Sequence, residues 1–219
     1  MSVRVKVCGN TRLEDAMTAV ECGAEALGFI FWAPSSRAAD PEVVAKIVRQ
    51  LPPLVTTVAV FVNEAVETMN RIVAYCRLDR VQLHGQEPHE LLERLDRPAY
   101  RAFKPRSEAE LEAVLAAPDG TLLLDTFDPE LPGGTGRPSN WAWARRAGET
   151  KRVILAGGLD AGNVASAVEA ARPWAVDVAS SLESRPGIKD AHKIEAFFQA
   201  LKDGPLPPTL TSDEHASAN

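Results

Sequence analysis

The chain has 219 residues, 45% of them hydrophobic and 25% charged, with a formal net charge of −6 and a pI near 5.3. These values suit a globular protein of one large domain or two small ones, and the acidic balance argues against nucleic acid as a general partner, because phosphate backbones demand clustered Lys and Arg. No apolar run approaches the roughly 20 residues of a membrane-spanning helix, and the N-terminus lacks a signal-peptide pattern, so a cytoplasmic protein with no membrane partner is expected.

From the N-terminus, strand-like and helix-like segments alternate. A strand near 3–8 precedes a helix near 11–22, and a strand near 26–31 precedes a helix near 41–50. In the latter helix Asp40 can cap, Pro41 suits the first turn, and Pro52-Pro53 ends the element. A strand near 55–62 precedes a helix near 64–76, whose Val66, Met69, Ile72, Val73 and Cys76 form one stripe at helical spacing. Strands near 79–84, 98–103, 120–125, 152–156 and 174–179 follow, with amphipathic segments near 87–95, 107–117, 138–147, 160–171 and 188–202. Eight β-then-α units predict a parallel sheet with right-handed crossovers and, by count, a single-domain (β/α)₈ barrel over residues 1–203. A doubly wound open sheet is the alternative. The tail over 204–219, rich in proline, serine and acid, is expected to be flexible.

In such a barrel, chemistry sits at the C-terminal ends of the strands and in the loops that follow. Cys8 ends the first strand, where a free cysteine is either a small buried hydrophobe or a reactive thiol. Cys22 and Cys76 fall within helical apolar stripes and read as packing residues; three cysteines without a CxxC point to reduced thiols. Arg37, in the loop after the second strand, is either a solvated surface residue or a bidentate clamp for a carboxylate. Gln82 and His84 alternate with Val81 and Leu83, so one pair faces the interior; His84 is either an active-site residue or a satisfied structural histidine. Asp125 follows three leucines at the end of the sixth strand, as a capping residue or as an acid in an apolar setting. The sixth loop contains Gly133, Gly134 and Gly136, which suit a plain turn or a loop that closes over ligand. Gly157-Gly158 after strand seven and Ser180-Ser181 after strand eight are the small residues that a phosphate site in this fold requires.

Together, "KVCGNTRLEDA", "GFIF…SSR", "VAVFVN", "VQLHG", "LLLDT…GGTG", "LAGGL…NV" and "VDVASSLES.PGIKD" resemble, in order, the motifs of the phosphoribosylanthranilate isomerase family of tryptophan biosynthesis. The resemblance spans residues 3–202 and implies a (β/α)₈ barrel that performs an Amadori rearrangement without cofactor or metal. The aminoaldose N-(5-phosphoribosyl)anthranilate becomes the aminoketose 1-(2-carboxyphenylamino)-1-deoxyribulose 5-phosphate. Motif by motif, the family's cysteine base falls on Cys8 and its aspartate acid on Asp125. The arginine for the anthranilate carboxylate falls on Arg37, and the phosphate-binding backbone on Gly157, Gly158 and the segment around Ser180 and Ser181. His84 and Gly134 complete the expected substrate contacts. The expected partner is the small-molecule substrate, with the protein a monomer or homodimer.

This chemistry needs the carboxyl protonated and the thiol deprotonated at one pH, which demands a Cys8 pKa below the free-thiol value of about 8.5. Lys6, two residues earlier on the same strand face, can favour the thiolate; Asp177 on the neighbouring eighth strand is expected to pair with Lys6, unless Lys6 reaches solvent instead. Ala179 and Ser181 depart from the family's usual "DVSSGVE". Serine in place of glycine at 181 implies either backbone strain of about 1 kcal/mol or more, or a hydroxyl bond to the phosphate. Two further readings remain. A bifunctional isomerase would need two phosphate sites, and only strands seven and eight offer one. A non-catalytic phosphoribosyl-binding barrel draws support only from the altered strand-eight segment.

Overall fold

The computed structural model describes residues 3–125 and 141–203. Its eight central strands are β1 (Arg4–Val7), β2 (Ala26–Ile30), β3 (Thr56–Phe61), β4 (Arg80–Leu83), β5 (Ala99–Phe103), β6 (Thr121–Asp125), β7 (Arg152–Ala156) and β8 (Ala175–Val178). They pair in parallel in chain order, and β8 returns to β1 to close the barrel. The expected (β/α)₈ barrel is therefore the fold, and the open sheet is excluded.

The helices are α1 (Leu13–Cys22), α2 (Pro41–Val48), α3 (Val66–Cys76), α4 (Glu108–Ala116), α5 (Trp141–Ala147), α6 (Val164–Ala171) and α7 (Ala191–Asp203). At α2 the expected cap is present: the Asp40 carboxylate accepts the Glu42 N–H at 2.7 Å, with Pro41 in the first turn. On α3, Val66, Met69, Val73 and Cys76 are buried as the stripe implied. The Cys76 thiol donates to the Pro41 carbonyl at 3.3 Å, and burial pushes its pKa up to about 11. Cys76 is a packing residue, and Cys22, half-buried, packs against the same apolar layer.

Two elements differ from expectation. Between β4 and β5 the chain forms a 3₁₀ segment, His89–Arg94, with no buried residue. Pro88 and Pro98 bracket too short a span for a full amphipathic helix to repay its nucleation. After β8 a 3₁₀ turn, Ser180–Leu182, leads into a hairpin of β9 (Glu183–Arg185) and β10 (Ile188–Lys189), and α7 begins only at Ala191. The tail over 204–219 lies outside the described residues.

Period-two alternation divides the barrel's side chains. Val5, Val7, Leu27, Phe29, Ala59, Phe61, Leu122 and Leu124 face outward into the large apolar layer beneath the helices. Val58, Tyr100, Leu123, Ile154, Ala156 and Ala175 form a separate small cluster inside. Lys6 and Asp177 also point inward. They are paired in register across the β1–β8 seam, and Lys6 Nζ donates to Asp177 Oδ1 at 2.8 Å, with exposures of 4% and 9%. This is the contact expected from sequence, and it excludes a solvent-reaching Lys6. Burial opposes the ammonium, but the Asp177 carboxylate more than offsets it and lifts the Lys6 pKa above its ordinary value.

Lys6→Met would strand the Asp177 carboxylate in the barrel. Urea denaturation is expected to show a loss of about 3–5 kcal/mol, with much of it regained in Lys6→Met/Asp177→Leu. A single variant as stable as the parent would show that the pair does not hold the seam.

Candidate active site

A cavity of about 340 Å³ opens at the C-terminal ends of the strands. Cys8, Arg37, His84, Asp125, Gly157, Gly158, Ser180 and Ser181 all line it, so the barrel gathers residues separated by up to 173 positions in the chain. Gly134 and the rest of the glycine-rich sixth loop lie outside the described residues. A larger hollow of about 530 Å³ occupies the opposite end, where Arg4, Arg80 and Arg152 meet Trp174. It contains no thiol and no carboxyl other than Glu25, which accepts the Val5 N–H, so the smaller mouth is the chemically equipped one.

Cys8 follows β1, and its N–H donates to the Val178 carbonyl at 2.8 Å, which continues the seam pairing by one residue. The side chain is 6% exposed. Room for it comes from β2: a Cβ at Gly28 would stand 2.6 Å from Cys8 Sγ and 3.1 Å from Lys6 Nζ. Only a residue without a side chain lets sulfur and ammonium share that space.

The lowered Cys8 pKa expected from sequence is not found. Burial pushes the thiol up; Lys6 draws it down, but Asp177 pushes it up again. A lysine already paired with a carboxylate is a weak activator, and a buried sulfur far from bulk water gains little by ionising.

Arg37 is held by a protein carboxylate. Its Nε donates to Glu183 Oε1 at 2.8 Å and its Nη2 to Glu183 Oε2 at 2.7 Å. A guanidinium has five N–H donors, so this fork leaves the Nη1–Nη2 edge for a second, planar acceptor. Glu183, on β9, is buried; desolvation works against its carboxylate, yet Arg37 and Lys189 together keep its pKa below the ordinary range. Lys189, on β10 and equally buried, donates through Nζ to the Cys8 carbonyl at 2.6 Å, the Ala179 carbonyl at 3.0 Å and Glu183 Oε1 at 3.2 Å. One ammonium thus joins the backbone at Cys8 to the carboxylate that aims Arg37. The Lys189 N–H also donates to buried Asp15 Oδ2 at 3.0 Å.

Sequence reading assigned no role to Glu183, Lys189 or Gly28. Lys189 stands within the recognised "PGIKD", but only the hairpin shows what its amine reaches. Signals existed in the lysine's position within a motif and in a glycine at the centre of an apolar strand.

On the opposite side, Gly157 and Gly158 have φ of 98° and 65°, conformations that side chains resist. Asn163 Nδ2 donates to the Gly158 carbonyl at 2.8 Å and pins the loop. Of the two forms expected for Ser181, the strained one is not found. Its φ is not positive, so no left-handed strain arises, and its hydroxyl donates to the Leu159 carbonyl. Through this bond Ser181 ties loop eight to loop seven.

These features define a class: a (β/α)₈ barrel with a thiol, a carboxyl group, an aimed guanidinium and a glycine-lined loop around one mouth, the equipment of a barrel that handles phosphorylated sugars. The family model for N-(5'phosphoribosyl)anthranilate (PRA) isomerase matches residues 5–200, and the chain belongs to that family. The N-(5'-phosphoribosyl)anthranilate isomerase of Pelobacter propionicus is 44% identical over 201 residues, 92% of this chain and 96% of the relative. Among solved structures, the phosphoribosyl anthranilate isomerase from Thermotoga maritima superimposes with a TM-score of 0.84 at 41% identity, covering 91% of this chain and 98% of that one. A phosphoribosyl anthranilate isomerase in complex with reduced 1-(o-carboxyphenylamino)-1-deoxyribulose 5-phosphate does so with a TM-score of 0.82 at 40% identity, covering 91% and 98%.

Two measurements check this geometry. Alkylation at Cys8, followed by peptide mapping, is expected to keep accelerating as pH rises past the free-thiol value of about 8.5, because only the thiolate reacts; a plateau below that pH would contradict the raised pKa. Gly28→Ala is expected to lose about 1–3 kcal/mol through overpacking and to slow any reaction at Cys8; parent-like stability and alkylation would show that the sulfur moves aside freely.

Proposed function

We propose that Cys8 and Asp125 are the base and acid with which this isomerase converts N-(5'-phosphoribosyl)anthranilate into 1-(2-carboxyphenylamino)-1-deoxyribulose 5-phosphate, a step of tryptophan biosynthesis. The observation that carries the assignment is that the two residues line one cavity together with the glycines and serines of loops seven and eight. A phosphate seated against Gly157, Gly158 and the N–H groups around Ser180 and Ser181 would fix one end of the sugar. The anthranilate carboxylate would take the Nη1–Nη2 edge of Arg37, while Glu183 occupies the other edge. His84 would donate to an oxygen of the sugar between them.

With both ends held, the steps follow from proton positions. Asp125 gives its proton to the ring oxygen; the furanose opens, and the anthranilate nitrogen becomes a protonated Schiff base. That cation acidifies the proton on C2. The Cys8 thiolate removes it, and the C–H electron pair forms the enol-amine. Protonation at C1 and loss of the hydroxyl proton at C2 then give the ketone. Each positioned transfer is worth about 10²–10⁴-fold.

The raised Cys8 pKa makes the thiolate the minor form of the free enzyme near neutrality, so kcat/KM is expected to rise with pH on the limb that Cys8 controls.

Single variants test the roles. Cys8→Ser and Asp125→Asn are expected to retain binding of reduced product analogue by calorimetry while turnover, followed by the fluorescence of the anthranilate group, falls at least about 10²-fold. Full turnover in either variant would remove that residue from the mechanism.

A further inference from the structure

We propose that Tyr100, which does not line the mouth, acts through Gln82 as a positioning residue for His84, holding it as the neutral tautomer with its proton on Nε2, a hydrogen-bond donor to substrate. A register pairing and two polar contacts link these residues in the barrel interior. Tyr100 on β5 and Gln82 on β4 are register partners, both buried. The Tyr100 hydroxyl donates to Gln82 Oε1 at 3.0 Å. Gln82 Nε2 stands 2.8 Å from His84 Nδ1.

An amide has one acceptor end and one donor end. Once its oxygen receives the phenol proton, its NH₂ faces the imidazole. The NH₂ can only donate, so Nδ1 must accept and carries no proton. The imidazole proton is then on Nε2, on the far side of the ring from Gln82 and toward the mouth that His84 lines.

The reversed arrangement would have the phenol accept from a turned amide whose oxygen receives an Nδ1–H. The placement of the amide disfavours it: Oε1 faces the phenol and Nε2 faces the imidazole. A doubly protonated His84 would set Nδ1–H against the Gln82 NH₂ and break the chain. Loss of solvent around the ring agrees with this by pushing the His84 pKa below its ordinary value, opposed by Asp177, Asp125 and Glu87 and assisted by Lys6. The hydrogen bonds, not this shift, select the tautomer.

The consequence is a specificity device two residues deep. A donor at Nε2 suits a sugar oxygen bearing a lone pair; an acceptor there would repel it. Tyr100 decides which of these the substrate meets, although no substrate atom reaches it.

The test uses the full chain labelled with ¹⁵N-histidine, with the His84 signals identified by their loss in His84→Asn. In the parent, Nδ1 is expected in the unprotonated range and Nε2 in the protonated range. Gln82→Glu presents a carboxylate that can only accept, and is expected to move the proton to Nδ1 and raise the His84 pKa. Tyr100→Phe frees the amide to turn and is expected to give mixed tautomers, with KM up by about 2- to 10-fold, the worth of one neutral hydrogen bond, and kcat little changed. The kinetic arm rests on the isomerase reading; the nitrogen shifts do not, so the two fail separately. A parent His84 protonated at Nδ1, or His84 shifts unchanged in Tyr100→Phe, would overturn the proposal. If Tyr100→Phe does not fold, the parent spectrum and Gln82→Glu still decide it.

Discussion

The ion pair between Lys6 and Asp177 lies where the first strand of the barrel meets the eighth. Removing two charges from water costs several kcal/mol for each ion, so the pair tolerates only the register in which both side chains meet inside the cylinder. A slip of either strand by one residue would turn its charge into the apolar layer under the helices and leave the other unpaired. The same register carries Cys8 inward at the mouth, and continues as the Cys8 N–H bond to Val178. Barrel closure and placement of the thiol are thus one constraint. The pair also limits the chemistry: a lysine whose charge is matched by Asp177 cannot do much to ionise the neighbouring sulfur, and Cys8 remains a reluctant acid.

Above that seam the mouth is held by loops that correct one another. Arg37 is aimed by Glu183, Glu183 is neutralised by Lys189, and Lys189 spends its other two N–H groups on the carbonyls of Cys8 and Ala179. Each buried charge has its partners, as burial demands. The arrangement fixes the guanidinium through its Nε–Nη2 edge at the lining of the cavity. Opposite it, Ser181 and Asn163 tie loops eight and seven down through the Leu159 and Gly158 carbonyls.

Much of this was legible in the chain because two periodicities are strong. Alternating strands and helices implied the barrel, and period-two spacing put Lys6 inward with an expected partner at Asp177. Strand ends located Cys8, Asp125, His84 and the loops after strands seven and eight. What escaped reading has a common cause. The 3₁₀ segment between β4 and β5 and the hairpin after β8 are short elements, in which tertiary contacts outweigh local pattern. Glu183, Lys189 and Tyr100 matter through partners up to 181 positions away, and Gly28 through an empty volume that no residue type announces. Sequence placed both Lys6 and its competing Asp177 beside Cys8, but not the burial that pushes the thiol up. For Ser181, the residue type revealed neither its backbone conformation nor its bond to the neighbouring loop.

The bond from Lys189 to the Cys8 carbonyl spans nearly the whole polypeptide. The thiol follows the first strand of the barrel, and the amine that braces its backbone sits on β10, beyond the eighth. The mouth is therefore braced only when the two ends of the barrel meet. A half-barrel cut from this chain would carry the thiol without its brace, or the brace without its thiol.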